Sequence, residues 1–147
     1  MSQQRAETIK TPAPAGVFTL VITGAPYSTQ APQTALDFAR AAIASNRQID
    51  RVFLYGDGVH LASSLSTPPS DEPDLPLLWA SFLQEQNIPG IACIASALRR
   101  GLVNGEEMRR YQRPAENLRS PFEIAGLGEW VTSSSSHSRL LYFHRST

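Results

Sequence analysis

The hydrophobic pattern of the chain changes within Gly90-Ile91-Ala92-Cys93-Ile94-Ala95-Ser96-Ala97-Leu98-Arg99-Arg100-Gly101. An apolar run is followed there by a short basic segment with helical spacing. Cys93, the only cysteine, lies where the two halves meet. A thiol at a strand-to-helix junction faces the unpaired N–H groups and positive dipole end of the helix, which favour the thiolate. The pattern therefore predicts a reactive cysteine. The alternative is that Cys93 is a small buried hydrophobic residue, as free cysteines often are.

The composition limits the kinds of protein that this chain can be. Its 147 residues suit one domain with one core, and 13 basic residues balance 13 acidic ones. Such a balance lacks the basic surface that sequence-independent nucleic-acid binding requires. One cysteine cannot form an internal disulfide, and His60, His137 and His144 are too scattered to form a metal-ligand cluster. We expect no direct nucleic-acid partner and no metal.

The two ends of the chain differ in composition. Residues 1–16 are polar and rich in Pro and Ala, which predicts a flexible N-terminal tail because such a segment buries too little to offset its ordering entropy. Residues 17–147 are expected to form a single α/β domain. No apolar run approaches the roughly 20 residues needed to cross a bilayer, and the N-terminus lacks the apolar core of a signal peptide. We expect a soluble, cytoplasmic protein.

Strand and helix patterns alternate along the domain. Short apolar runs predict strands over 17–23, 49–55, 90–94, 120–124 and 139–143, the fourth being a strand or a turn. Apolar residues at helical spacing predict helices over 34–45, 59–65, 75–86, 104–111 and 126–133, besides the short helix that follows Cys93. This alternation predicts an open, mainly parallel sheet with helices on both faces.

A proline-rich segment interrupts the middle of the chain. Residues 66–73 hold three prolines, which predicts a loop. We interpret this loop as a candidate lid or docking surface. Ser70 or Asp71 is the expected cap of the helix that follows, while Ser96 and Gly101 are the expected cap and end of the helix after Cys93.

Other residues are weaker candidates for chemistry. Residues 24–29 follow a strand, but they match neither a dinucleotide fingerprint nor a phosphate-binding P-loop. His60 follows another strand and is a candidate to assist the Cys93 thiol. Arg99 and Arg100 are candidates to stabilise a thiolate, to attract an acidic partner or simply to solubilise their helix.

Several short segments match one known family in their order along residues 18–143. They are Thr23-Gly24, Tyr27 to Gln30, Val52 to Tyr55, Gly58-Val59, Ser70 to Glu72, Cys93, Ala97 to Gly101 and Gly126 to Gly128. On these segments the chain resembles the DsrE/DsrF-like family, most closely its TusD/DsrE sulfur-carrier branch. The resemblance implies a flavodoxin-like α/β subunit.

The resemblance also implies a chemical role. The family's cysteine maps onto Cys93 by its position before Ala97-Leu98-Arg99-Arg100-Gly101. It accepts persulfide sulfur from a TusA-like carrier and passes it to a TusE/DsrC-like acceptor, in tRNA 2-thiouridine synthesis or in dissimilatory sulfur oxidation. The subunit assembles with TusB/DsrH-like and TusC/DsrF-like subunits into a heterohexamer. No cofactor is implied, because the sulfur travels covalently.

Two other functions remain open from the residues. A non-catalytic assembly subunit of the same complex would use Cys93 only for packing. A nucleotide- or small-molecule-binding flavodoxin-like module would use residues 24–29 and 56–58. The chain departs from the family pattern at its tail, at Pro73 and Pro76 and at His60, and these departures bear on partner identity.

Overall fold

A parallel sheet organises the domain. The computed structural model describes residues 16–126, 128 and 138–144. Within them the strands are β1 Val17–Ile22, β2 Gln48–Leu54, β3 Gly90–Cys93, β4 Glu123–Ala125 and β5 Arg139–Phe143. They form one sheet in the order β4-β3-β2-β1-β5, and every neighbouring pair is parallel. The predicted open α/β sheet is confirmed.

The helices occupy most of the connections between strands. They are α1 Ala31–Ala44, a 3-10 helix Gly56–Ala62, α2 Leu75–Gln86, α3 Ile94–Arg99 and α4 Gly105–Arg110. The prediction for α2 is confirmed at both ends. The helix expected over 59–65 is wrong, because a 3-10 helix begins earlier, at Gly56, and ends at Ala62. The 1–16 tail, apart from Gly16, and most of the helix predicted over 126–133 lie outside the described residues.

One face of the sheet, which we call the helical face, carries the main core. Its strand side chains include Leu20, Ile22, Val52 and Leu54, all fully buried under the helices. The largest helix residue in this core is Trp79, whose indole N–H also donates to the carbonyl of Pro32 at 2.9 Å. Burial of these side chains supplies the main driving force for folding.

The opposite face, which we call the cavity face, follows from strand alternation. Side chains one residue along each strand point the other way, so Val21, Phe53 and Ile91 form a second, smaller buried cluster. The register aligns them across the sheet: Val21 pairs with Phe53, Phe53 pairs with Ile91, and Val21 pairs on its other side with Tyr142. These four residues form an apolar row across four strands.

The start of α2 differs from its predicted cap. Asp74, and not Ser70 or Asp71, caps α2: its Oδ1 accepts from the N–H of Leu77 at 3.2 Å. The loop 66–73 is held at its end, because the Tyr27 hydroxyl donates to the carbonyl of Pro73 at 3.0 Å and accepts from the N–H of Leu75 at 3.1 Å. The loop is therefore anchored to the α2 entrance.

The described helices are short. The longest, α1, has 14 residues. Within the part of the chain that the structure describes, no helix combines the length and the apolar character needed to cross a membrane.

Candidate functional site

Cys93 ends β3 and is the N-cap residue of α3, which confirms the predicted strand-to-helix junction. All four residues of β3 are buried, and Cys93 is 7% exposed. Gly90 is needed at the start of this strand, because an added Cβ would lie 2.6 Å from Leu83 and 2.9 Å from Phe122. The tight packing of β3 against these neighbours fixes where the thiol emerges from the sheet.

The thiol belongs to the cavity face. Within the described helix α3, the Cys93 side chain makes no capping hydrogen bond to the backbone. Cys93 instead lies two residues beyond Ile91 on the same face of β3, and both side chains line a cavity of about 340 Å³ with an almost entirely apolar wall. The described lining residues are Val21, Thr23, Phe53, Leu54, Tyr55, Ile91, Cys93, Ala125, Gly126, Tyr142 and His144.

A second row of side chains lies at the carboxyl edge of the cavity face. Backbone hydrogen bonds continue the sheet beyond the strand ends, from Tyr55 N–H to Ile22 O and from Thr23 N–H to Phe143 O, both 3.0 Å. Residues two positions beyond the apolar row therefore follow one another across the sheet. In order from β3 to β5 they are Cys93, Tyr55, Thr23 and His144. We call these four residues the edge row.

The two ends of the edge row are chemically distinct. His144 Nδ1 lies 3.1 Å from the Thr23 hydroxyl oxygen, and its ring stacks on Tyr142 with centroids 5.5 Å apart. Neighbouring strands lie about 4.8 Å apart, so Cys93 and His144 are separated by three such spacings, about 14 Å. Tyr55 is on the strand next to Cys93. The imidazole therefore borders the same cavity as the thiol without contacting it.

The residues predicted to assist the thiol are not among the described residues that line its cavity. His60 is half-buried in the 3-10 helix and is not among the described residues that line the cavity. Arg99 is exposed at the end of α3. Arg100 donates from Nε to Asp57 Oδ1 at 2.8 Å and from a terminal nitrogen to the Ser96 carbonyl at 3.0 Å. The guanidinium of Arg100 thus joins α3 to the 3-10 helix.

Ser96 has a different role from the cap that its position predicts. Its side chain is buried, and its Oγ accepts from the N–H of Gly56 at 3.0 Å. The bond connects the start of the 3-10 helix to α3. The end of α3 is as predicted: Gly101 has φ +75°, and its N–H donates to Leu98 O while the N–H of Leu102 donates to Ala97 O, the pattern of a Schellman motif.

A second, polar cavity lies at the carboxyl end of β1. Its volume is about 380 Å³, and it is lined by Thr23, Gly24, Ala25, Ser28, Thr29 and Asp57. This is the region that the small-molecule-binding alternative requires. Within the described residues no group of three or more His, Cys, Asp and Glu side chains is arranged to hold a metal ion.

Sequence reasoning missed most of the residues around the thiol. Tyr55 and Tyr142 are large aromatic residues that are 45% and 49% exposed, and Thr23 and His144 directly follow strands. Their position at or just after predicted strands could have indicated them, because the carboxyl ends of parallel strands lie at the same edge of a sheet. The strand order, which decides which ends are neighbours, was not part of the prediction.

The fold and the site define a small α/β protein with one buried thiol at the carboxyl edge of its sheet. The chain belongs to the DsrE/DsrF-like family, whose sequence profile matches residues 16–143. The family resemblance on which the sequence interpretation relied is thereby confirmed.

Named relatives extend the comparison. The chain is 41% identical over 126 residues to a Sulfurtransferase TusD homolog of Pseudomonas aeruginosa, an alignment that covers 86% of this chain and 95% of the relative. It is 36% identical over 126 residues to Sulfurtransferase TusD of Cronobacter sakazakii, covering 86% and 98%. The crystal structure of the ychN protein from E. coli superposes with a TM-score of 0.68 at 24% identity, covering 87% of this chain and 98% of that one, and it supports the fold.

Proposed function

We propose that this chain is a sulfurtransferase subunit of a sulfur relay, in which Cys93 carries the sulfur as a persulfide. The observation that supports this most directly is the position of Cys93 at the end of β3, in the wall of the cavity. The relatives named as sulfurtransferases support the same class of reaction.

The chemistry needs one thiol on this chain. The Cys93 thiolate attacks the outer sulfur of a donor persulfide, a new S–S bond forms, and the donor cysteine leaves as its thiolate. Proton uptake gives Cys93–S–SH. An acceptor thiolate then attacks that outer sulfur and Cys93 leaves as its thiolate, so both steps balance without an oxidant or reductant. The second thiol of each exchange comes from the partner protein.

The surroundings of Cys93 suit this exchange. The first N–H groups of α3 have no partner within the helix and lie immediately after Cys93, where they favour negative charge. The cavity provides space for an additional sulfur atom beside an apolar wall. The thiol therefore has both an anion-favouring backbone and room for its cargo.

The partners are part of the proposal. We infer a TusA-like donor, a TusE/DsrC-like acceptor and a heterohexamer with TusB/DsrH-like and TusC/DsrF-like subunits, in the cytoplasm, where thiols stay reduced. Large exposed apolar side chains are typical of surfaces that bind other proteins. Those of the described residues are Tyr27, Tyr55, Leu65, Leu77, Tyr111, Leu140 and Tyr142.

The test is to incubate the protein with a persulfidated donor protein and weigh it intact, beside Cys93→Ser. We expect a mass gain of one sulfur atom that is absent in the variant. No gain in the wild-type chain, with a folded state verified by circular dichroism, would contradict carriage and favour the assembly subunit. A nucleotide or flavin retained through purification would instead favour a small-molecule-binding module at the polar cavity.

A further inference from the structure

The described lining of the cavity beside Cys93 consists mostly of apolar side chains. Its wall is almost entirely apolar, and the apolar row contributes Val21, Phe53 and Ile91, each at most 7% exposed. Among the described lining residues there is no lysine, arginine, aspartate or glutamate. A carboxylate that enters this space loses its hydration and meets no lysine or arginine among these residues.

Most polar side chains of the described lining belong to the edge row, and Tyr142 of the apolar row adds one hydroxyl. Tyr55, Thr23 and His144 follow Cys93 in the edge row, and His144 at the far end is already paired with Thr23. The two cationic groups near α3 do not supply compensation, because Arg100 is bonded to Asp57 and Arg99 is exposed at the end of the helix. Among the described residues, the cavity beyond the sulfur therefore offers a carboxylate no lysine or arginine as an ion-pair partner.

We propose that this cavity admits uncharged groups to the Cys93 sulfur and excludes small molecules that carry a carboxylate, whereas the negative charge of a thiolate or persulfide lies on the sulfur itself, at the start of α3. The inference deepens the proposed function and rests on it for its biological meaning: a sulfur atom held on Cys93 would be protected from small thiols that carry a carboxylate. Its test uses the free thiol and needs no sulfur cargo, so the two proposals can fail separately.

The experiment compares two alkylating reagents of similar size, neutral iodoacetamide and anionic iodoacetate. Rates are measured by intact mass on the folded chain and on the chain unfolded in urea. Both reagents react with the thiolate form of Cys93. The fraction of thiolate therefore multiplies both alkylation rates equally and drops out of their ratio. We expect the neutral-to-anionic rate ratio of the folded chain to exceed that of the unfolded chain by at least about tenfold.

A pair of variants tests the cause of the preference. Ala125 pairs directly with Cys93 on the edge strand β4, lines the cavity and is half-buried. Ala125→Lys is expected to raise the iodoacetate rate and to reduce the ratio at least about threefold, because an ammonium group then compensates the anion. Ala41→Lys is the matched control, because it introduces the same ammonium group at an exposed position of α1, a helix that packs on the helical face, and Ala41 is not among the described lining residues.

Each outcome decides the proposal. Equal ratios for the folded and unfolded chain would overturn it, as would a folded thiol that reacts with neither reagent, because the cavity would then admit no neutral partner. A folded Ala125→Lys variant with the wild-type ratio would also overturn it. Should Ala125→Lys fail to fold, the comparison of the folded and unfolded wild-type chain still decides.

Discussion

Arg100 and Asp57 form an ion pair that connects α3 to the 3-10 helix, with 2.8 Å between Nε and Oδ1. The two side chains are 28% and 61% exposed. The pair is thus a surface connection between the elements that follow β3 and β2, and the Arg100 guanidinium is engaged there.

This geometry assigns Arg100 a structural role. Arg100→Ala is expected to lower the free energy of unfolding by about 1 kcal/mol or less, because partly exposed ion pairs contribute little. It is expected to leave sulfur loading on Cys93 unchanged. Urea unfolding and intact mass measure the two effects, with exposed Arg99→Ala as the control. Loss of loading in a folded Arg100→Ala protein would show that the guanidinium does act on the thiol.

Ser96 makes a more buried connection between the same elements. Ser96→Ala removes the acceptor for the Gly56 N–H and is expected to destabilise the fold by about 1 to 2 kcal/mol, since the donor loses its partner. Urea unfolding checks this, and Ser70→Ala on the exposed loop is the control. Equal urea midpoints for Ser96→Ala and Ser70→Ala would show that the hydrogen bond from the Gly56 N–H contributes no measurable stability.

Two glycines of the 3-10 helix provide a matched comparison. A Cβ at Gly58 would lie 2.1 Å from the carbonyl oxygen of Ile22, whereas nothing lies within 4 Å of one at Gly56, which has φ +57°. Gly56→Ala should cost about 1 kcal/mol through backbone strain. Gly58→Ala should cost about 3 kcal/mol or more, because the backbone of β1 must move. The order of the two unfolding free energies is the test, and the reverse order would contradict this packing.

Trp79 tests the core of the helical face. Trp79→Ala is expected to lower the free energy of unfolding by about 3 to 5 kcal/mol, because it empties a fully buried site. Trp79→Phe should lie between this variant and wild type, since it keeps a ring but leaves the Pro32 carbonyl without its donor. Leu77→Ala, on the exposed side of α2, is the control and should change stability by less than about 0.5 kcal/mol. A wild-type midpoint for Trp79→Ala would refute this assignment.

Local patterns were sufficient to predict most of the fold. The runs at 139–143 and 75–86 match β5 and α2 at both ends because their apolar spacing and flanking breakers are unambiguous. The helix α1 begins at Ala31, three residues before the predicted start at Thr34, because proline is tolerated in the first helical turn and Pro32 lies there. The 3-10 helix was missed because its glycines have the composition of a turn.

The site was predictable only in part. The position of Cys93 follows from its own segment, since the change from apolar run to helical spacing falls on that residue. The edge row does not follow from any segment, because Tyr55, Thr23 and His144 become neighbours of one another only through the order of the strands. The assistance expected from His60 stays a prediction: His60 is not among the described residues that line the cavity.

The central claim is that Cys93 carries the sulfur, and peptide-level mass spectrometry tests it most directly. Cleavage after Lys and Arg releases a peptide Val52–Arg99 that holds the only cysteine. The chain is treated with a persulfidated donor, capped with iodoacetamide and digested. We expect this peptide to carry the cap plus one additional sulfur atom. The same peptide carrying the cap alone, while the donor retains its sulfur, would contradict the account.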